Sequence, residues 1–181
     1  MIKRIFDFLV ALVGLCLIGV LLVVFWLMAS VDTQSNGLFI QERIGQLGTP
    51  FNIYKLKTMH PLTGTISWLG NFFRKSKIDE LPQLWNVLKG DMSLVGPRPD
   101  VAGYYDLLVG DERKILELKP GLTSLASIKY YNEDALLASL SNPLEYNDEV
   151  IFPDKVQLNL DYYYHRSFYG DLLILIKTLL R

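Results

Sequence analysis

Between Phe8 and Ala29 the chain runs for about 22 residues without a charged side chain, and Leu, Val and Ile make up most of that stretch. A helix of this length crosses the hydrocarbon core of a bilayer, so any fold of this chain has to leave the segment against lipid. Lys3 and Arg4 precede it, and Met28-Ala29-Ser30-Val31 at its end shows no small-residue cleavage pattern. The expectation is a retained membrane helix over residues 1–31, followed by a single catalytic-sized domain over 32–181.

Composition narrows what that domain can do. The formal net charge of the 181 residues is −1 and the pI is about 6.1, so there is no basic stripe to hold a nucleic-acid backbone. Nucleic acid is excluded as a partner. Cys16 is the single cysteine and lies inside the apolar run, which rules out a disulfide framework within the chain. His60 and His165 are far apart and read as ordinary structural or surface residues. No Walker A or Gly-x-Gly-x-x-Gly run is present, so phosphate binding, if any, does not use a glycine loop.

The densest chemistry lies from Lys77 to Pro99. Pro82 suits the first turn of a helix. Leu81, Leu84, Trp85 and Leu88 recur at i, i+3, i+4 and i+7 and predict one buried face, and Gly90 is placed to end the helix. Asp79 and Glu80 then sit at its N-terminus, where the helix dipole favours their ionised forms. Ionised carboxylates can ligate a hard cation such as Mg2+, and one of them can attack a phosphoryl centre. The competing structural reading is that Asp79 simply caps the helix.

Upstream, Leu38 to Ile44 and Phe51 to Met59 read as two short strands around a Gly/Pro-punctuated turn at residues 45–50. Alternation places Lys55 and Lys57 on one strand face, either as a receptor for a pyrophosphate or as a solvated surface. Arg74 lies five residues before Asp79. Arg98 is held between Pro97 and Pro99, which restrict the backbone on both sides and leave the guanidinium fork less entropy to lose on gripping phosphate. Residues 135–154 read as a surface connection with short helical turns. Leu172, Leu173, Ile176, Leu179 and Leu180 form a broad apolar face that suits either a core or a membrane interface, and the tyrosines of 161–169 suit an interfacial belt or stacking on a base. Periodicity alone gives a helical chain with some β structure.

Asp79-Glu80-Leu81-Pro82-Gln83-Leu84, Asn86-Val87-Leu88, Gly90-Asp91-Met92-Ser93 and Val95-Gly96-Pro97-Arg98-Pro99 together resemble the signature of the bacterial sugar transferases, the monotopic phosphoglycosyl transferases. Lys3-Arg4-Ile5-Phe6-Asp7, Tyr54-Lys55-Leu56-Lys57-Thr58-Met59, Lys119-Pro120-Gly121-Leu122-Thr123, and Asp161-Tyr162-Tyr163 with Ser167 and Asp171-Leu172 continue the likeness in the same order. The resemblance implies an α+β, mostly helical fold with a re-entrant N-terminal helix, a small β-hairpin and amphipathic interfacial helices. In the family the re-entrant helix bends at a Ser-Pro pair, where this chain has Gly19 and Val20.

By the same resemblance the chain transfers a sugar-1-phosphate from a UDP-sugar to polyprenyl (undecaprenyl) phosphate, releases UMP and initiates bacterial glycoconjugate or exopolysaccharide synthesis. Asp79 is then the nucleophile, forming a phosphosugar-aspartate, and Glu80 helps hold Mg2+. Lys55, Lys57, Arg74 and Pro97-Arg98-Pro99 bind phosphate. The bilayer is a partner, the catalytic domain faces the cytosol from the bacterial inner membrane, and there is room for a homodimer. The alternative is a catalytically impaired membrane scaffold subunit of a polysaccharide assembly complex. Gly19-Val20, a short connection from Met59 to Arg74, and Ser124 and Ser127 where Gly and Gln are usual favour it, against an intact Lys55, Asp79, Glu80 and Arg98.

Overall fold

The computed structural model describes residues 2–181. The fold is α+β and mostly helical. Its first element, α1 (Ile2–Asp32), contains the whole apolar run as one helix. It passes Gly19 and Val20 as continuous helix, in keeping with the absence of a proline at these positions. Glycine keeps its N–H and adds no clash, and a Cβ at Gly19 would meet nothing within 4 Å.

Packing divides the chain into two units, one comprising the residues up to Arg43 with Pro50–Asp91 and the other Ile44–Thr49 with Met92–Arg181. This is a division by contact, whereas the boundary expected after residue 31 separates lipid from water.

In the first unit, β1 (Leu38–Ile44) and β2 (Pro50–Leu56) pair as a small antiparallel sheet, as expected, with β2 ending three residues earlier than the expected Met59. α1 is part of this unit's core. Ala29 packs with Leu56 and Phe73, supported by Phe25, Leu69 and Ile78, and the rings of Phe25 and Phe73 meet edge to face at 5.6 Å. Near its start, Arg4 donates to the carbonyls of Val87 (2.5 Å) and Leu88 (2.8 Å), the last turn of α3 (Leu84–Lys89), where unpaired carbonyls favour a cation. At its end, Asp32 accepts from Ser67 at 2.7 Å. Ser67 also caps α2 (Trp68–Ser76) through the Gly70 N–H.

In the second unit, β3 (Ser93–Val95) and β4 (Gly121–Thr123) pair in parallel, Ser93 opposite Gly121 and Val95 opposite Thr123. A Cβ on Gly121 would lie 2.1 Å from the Gly96 nitrogen, so two glycines are needed for these backbones to meet. Short helices α4 (Leu125–Lys129), α5 (Glu133–Ala138) and α6 (Pro143–Tyr146) lead to α7 (Phe152–His165) and α8 (Phe168–Leu179). Ser124, one of the departures from the family pattern, caps α4 through the Ser127 N–H. Val156 and Leu160 of α7 join Ile44, Tyr105, Leu108, Ile115 and Leu116 in the core. Tyr162 is buried and donates to Asp171 at 2.6 Å. α8 buries Ile174 but leaves Leu173, Ile176, Leu179 and Leu180 exposed, so the expected apolar face is not core.

Candidate active site

The acidic pair sits on a 3₁₀ segment, Ile78–Gln83, not on an α-helix N-terminus. α2 ends at Lys77, whose left-handed backbone (φ 57°) turns the chain sharply into this segment, and α3 begins only at Leu84, after Pro82. Gly90 ends α3 at φ 96°, as its placement predicted. The buried face differs from the expected one. Gln83, Asn86 and Val87 are buried, Leu84 and Leu88 are half-buried, and Trp85 is 50% exposed.

Asn86 explains how the site is assembled. Fully buried, it donates to the Asn52 carbonyl at 2.7 Å and accepts from the Tyr54 N–H at 3.3 Å, which fastens β2 to α3. The next residue of β2, Lys55, then lies within 3.1 Å of Glu80 as a half-buried ion pair. On the other side, Gly70 lets α2 approach the Thr58 backbone, since a Cβ there would lie 2.3 Å from the Thr58 carbonyl oxygen. Arg74 of α2 donates to the Thr58 hydroxyl at 2.8 Å.

Asp79 is 8% exposed, and its Oδ1 has no hydrogen-bond partner, so it does not cap a helix. Burial pushes its carboxyl up to about 6, with a further upward push from Glu80, while Lys55, Lys77 and Arg74 pull it down. The dipole expectation is therefore reversed in sign. The side chain is still about ten to one ionised at pH 7, but as an unusually basic aspartate.

Lys55, Arg74, Asp79 and Glu80 are thus brought together within the first unit. Lys57 is not with them, because it follows the end of β2 and donates to Ser35 at 3.0 Å, beside the C-terminus of α1. Pro97, Arg98 and Pro99 belong to the second unit. There the Pro97 carbonyl accepts from the Gly121 N–H and the Asp100 carbonyl from the Ile44 N–H, both at 2.8 Å. Arg98 is presented from a backbone anchored on both sides, in a cleft it shares with Gly45, Pro97, Pro99, Leu118 and Pro120. Sequence reasoning missed Asn86, Thr58 and Gln83. A polar residue amid the apolar positions of 81–88 was the available signal for Asn86 and Gln83.

Among the described residues no group of three or more His, Cys, Asp or Glu is arranged to hold a metal. Asp79 and Glu80 nevertheless suit Mg2+, which commonly takes one or two carboxylates with substrate phosphates completing its shell. The unpartnered Oδ1 of Asp79 is consistent with such a shared ion.

A buried, basic carboxylate ringed by cations, on a chain with a bilayer-length apolar helix, fits a membrane-associated enzyme acting on phosphorylated substrates. The comparison with known proteins makes the class specific: the chain belongs to the bacterial sugar transferase family, whose description matches residues 1–181. It is 34% identical to the uncharacterized sugar transferase EpsL of Bacillus subtilis (strain 168), over 97% of this chain and 84% of that protein. It is 31% identical to the UDP-glucose:undecaprenyl-phosphate glucose-1-phosphate transferase of Caulobacter vibrioides, over 97% of this chain and 67% of that one. Some relatives are much longer. The chain covers 41% of galactosyl transferase CpsE of Streptococcus agalactiae serotype III, at 32% identity.

Proposed function

We propose that this chain transfers a sugar-1-phosphate from a UDP-sugar to polyprenyl phosphate, with Asp79 as the nucleophile. The observation that carries the reading is the buried Asp79 carboxylate, raised to about 6 and holding an unpaired oxygen among Lys55, Lys77 and Arg74. A carboxylate of ordinary basicity in water is a weak nucleophile. Desolvation strengthens it, and the surrounding cations keep it ionised at neutral pH.

In the first half-reaction an Asp79 oxygen bonds to the β-phosphorus, and the bond from that phosphorus to the bridging oxygen breaks. UMP leaves with the electron pair. In the second, a phosphate oxygen of the lipid bonds to the same phosphorus and Asp79 departs as carboxylate. Lys55 and Arg74 offset phosphate charge, and the resemblance assigns Arg98 to phosphate as well. Glu80 and Asp79 are the groups that would hold Mg2+, which supplies charge neutralisation on the donor diphosphate. Lys55 must then divide itself between Glu80 and substrate, since the two compete for one ammonium.

The same proposal places both ends of α1 on the cytosolic face, where UDP-sugars are made. Arg4 near one end and Asp32 at the other are bonded to the same packed unit, which supports this placement of both ends on one face. Its exposed apolar face, with the exposed and stacked Trp68 and Phe72 of α2 and the outer face of α8, supplies surfaces for lipid contact. Mass spectrometry of protein incubated with UDP-sugar and no lipid is expected to find a phosphosugar adduct on Asp79, and Asp79→Asn to release no UMP. Ordinary UMP turnover by that variant would refute the assignment.

A further inference from the structure

The 3₁₀ segment carries a second buried group that this scheme leaves unused. Gln83 is 4% exposed, and its Nε2 has no hydrogen-bond partner. A buried amide donor left unpaired destabilises a fold, and native structures keep few of them. Asn86, three residues on, shows how a purely structural amide behaves at this place: its Nδ2 and Oδ1 both bond to β2 backbone. The Nε2 of Gln83 does nothing of the kind. The other buried side-chain atom without a partner, among the described residues, is Oδ1 of Asp79 in the same segment. One is a donor and the other an acceptor, yet they do not bond to each other.

We propose that Gln83 is a substrate-binding residue whose Nε2 donates to a non-bridging oxygen of the phosphoryl group that Asp79 attacks. The proposal rests on the reading of Asp79 as nucleophile. As the carboxylate closes on phosphorus, negative charge gathers on those oxygens, and a donor fixed in place stabilises it most at that moment. A neutral amide suits this position better than a cation. A further positive charge beside Asp79 would lower its basicity, whereas a carboxamide directs a hydrogen bond without doing so. Neither atom is open to solvent in this conformation, so binding of the phosphoryl group requires a local opening of the segment.

Gln83→Met keeps the side-chain length and removes the donor. With UDP-galactose, UDP-glucose or UDP-N-acetylgalactosamine, whichever the unaltered enzyme turns over, single-turnover UMP release without lipid is expected to slow on the order of 10²-fold. The melting midpoint in detergent should equal or exceed that of the unaltered protein, because an unpaired polar atom has gone. Discharge of the preformed adduct to polyprenyl phosphate should slow too, since the same phosphoryl group is transferred. An unchanged rate of UMP release overturns the proposal, as does a slower rate accompanied by a lower melting midpoint, which marks a structural role. A defect confined to discharge places the donor on the lipid phosphate instead and also overturns it. Asp79→Asn run in parallel separates the two ideas. If it releases UMP, the nucleophile has been misassigned; if it is silent while Gln83→Met is unimpaired, only the role of Gln83 falls.

Discussion

Asp79 holds its proton to about pH 6 in the folded chain and to about 3.8 in a solvated one, and that gap has two measurable consequences. For activity, the proposed nucleophile acts in its ionised form, so kcat/KM, which reports the free enzyme, should fall as pH drops through about 6, well above the range in which an ordinary aspartate titrates. A pH–rate profile of UMP release checks this. For stability, the folded state binds the proton more tightly than the unfolded state, so stability declines as pH rises from about 4 to about 6, and the full cost is present above that. A gap of about two units corresponds to roughly 3 kcal/mol. Asp79→Asn should therefore be inactive yet more stable, by up to about 3 kcal/mol at pH 7.5 and by little near pH 4. Denaturation in detergent at both pH values tests it, and an equal gain at the two would show that charge burial is not the cause. At this scale, the sequence was enough to single out the acidic pair. The origin of its ionisation was misread because the dipole argument assumed an exposed α-helical N-terminus, whereas the residues lie in a buried 3₁₀ turn, where desolvation outweighs any dipole.

The short elements around the site depend on backbone ties more than on apolar stripes. Asn86 joins α3 to β2, and Asn86→Leu would remove the side-chain partners of the Asn52 carbonyl and the Tyr54 N–H and untie the strand from the helix. We expect a loss of roughly 1–3 kcal/mol in stability, and a larger loss of activity than of folded protein because Lys55 is no longer held against Glu80. Comparing a chemical melt with kcat/KM distinguishes these. In the second unit, Gly121→Ala places a methyl group on the Gly96 backbone and should cost about 3 kcal/mol or prevent the β3–β4 pairing, read as a lower melting midpoint. The strand limits of β1, the turn after it and the stop at Gly90 were legible from alternation and from Gly and Pro, since local sterics govern them. The inward turn of Gln83 and Asn86 was not. A hydrophobic period assigns polar side chains to water; β2 alongside makes the inward amide of Asn86 favourable, and nothing in the fold pairs that of Gln83.

For the molecule as a whole, α1 is both a largely exposed apolar helix and a part of the first unit's core. Ala29 and Phe25 fill the cluster around Phe73, and Arg4 terminates α3. A chain beginning at residue 33 should consequently be less stable and aggregation-prone even in detergent, and not a soluble active domain, which size-exclusion chromatography and a melt would show. Cysteines placed singly at positions 2 and 75 should both resist impermeant labelling in intact cells; labelling of one alone would separate the two ends of α1 across the bilayer. What the amino-acid sequence determined by itself was the lipid-length helix, the small hairpin, and the identity of the acidic and basic residues, because these follow from composition, local backbone preference and an ordered run of motif residues. Only the tertiary structure decided that Lys57 bonds to Ser35 while Lys55 pairs with Glu80, that Asp79 is buried and basic, that Gln83 faces inward unpaired, and that the long apolar helix is tied at both ends to one unit. Those outcomes depend on which distant segments exclude water from which side chains, and no local pattern along the chain encodes that exclusion.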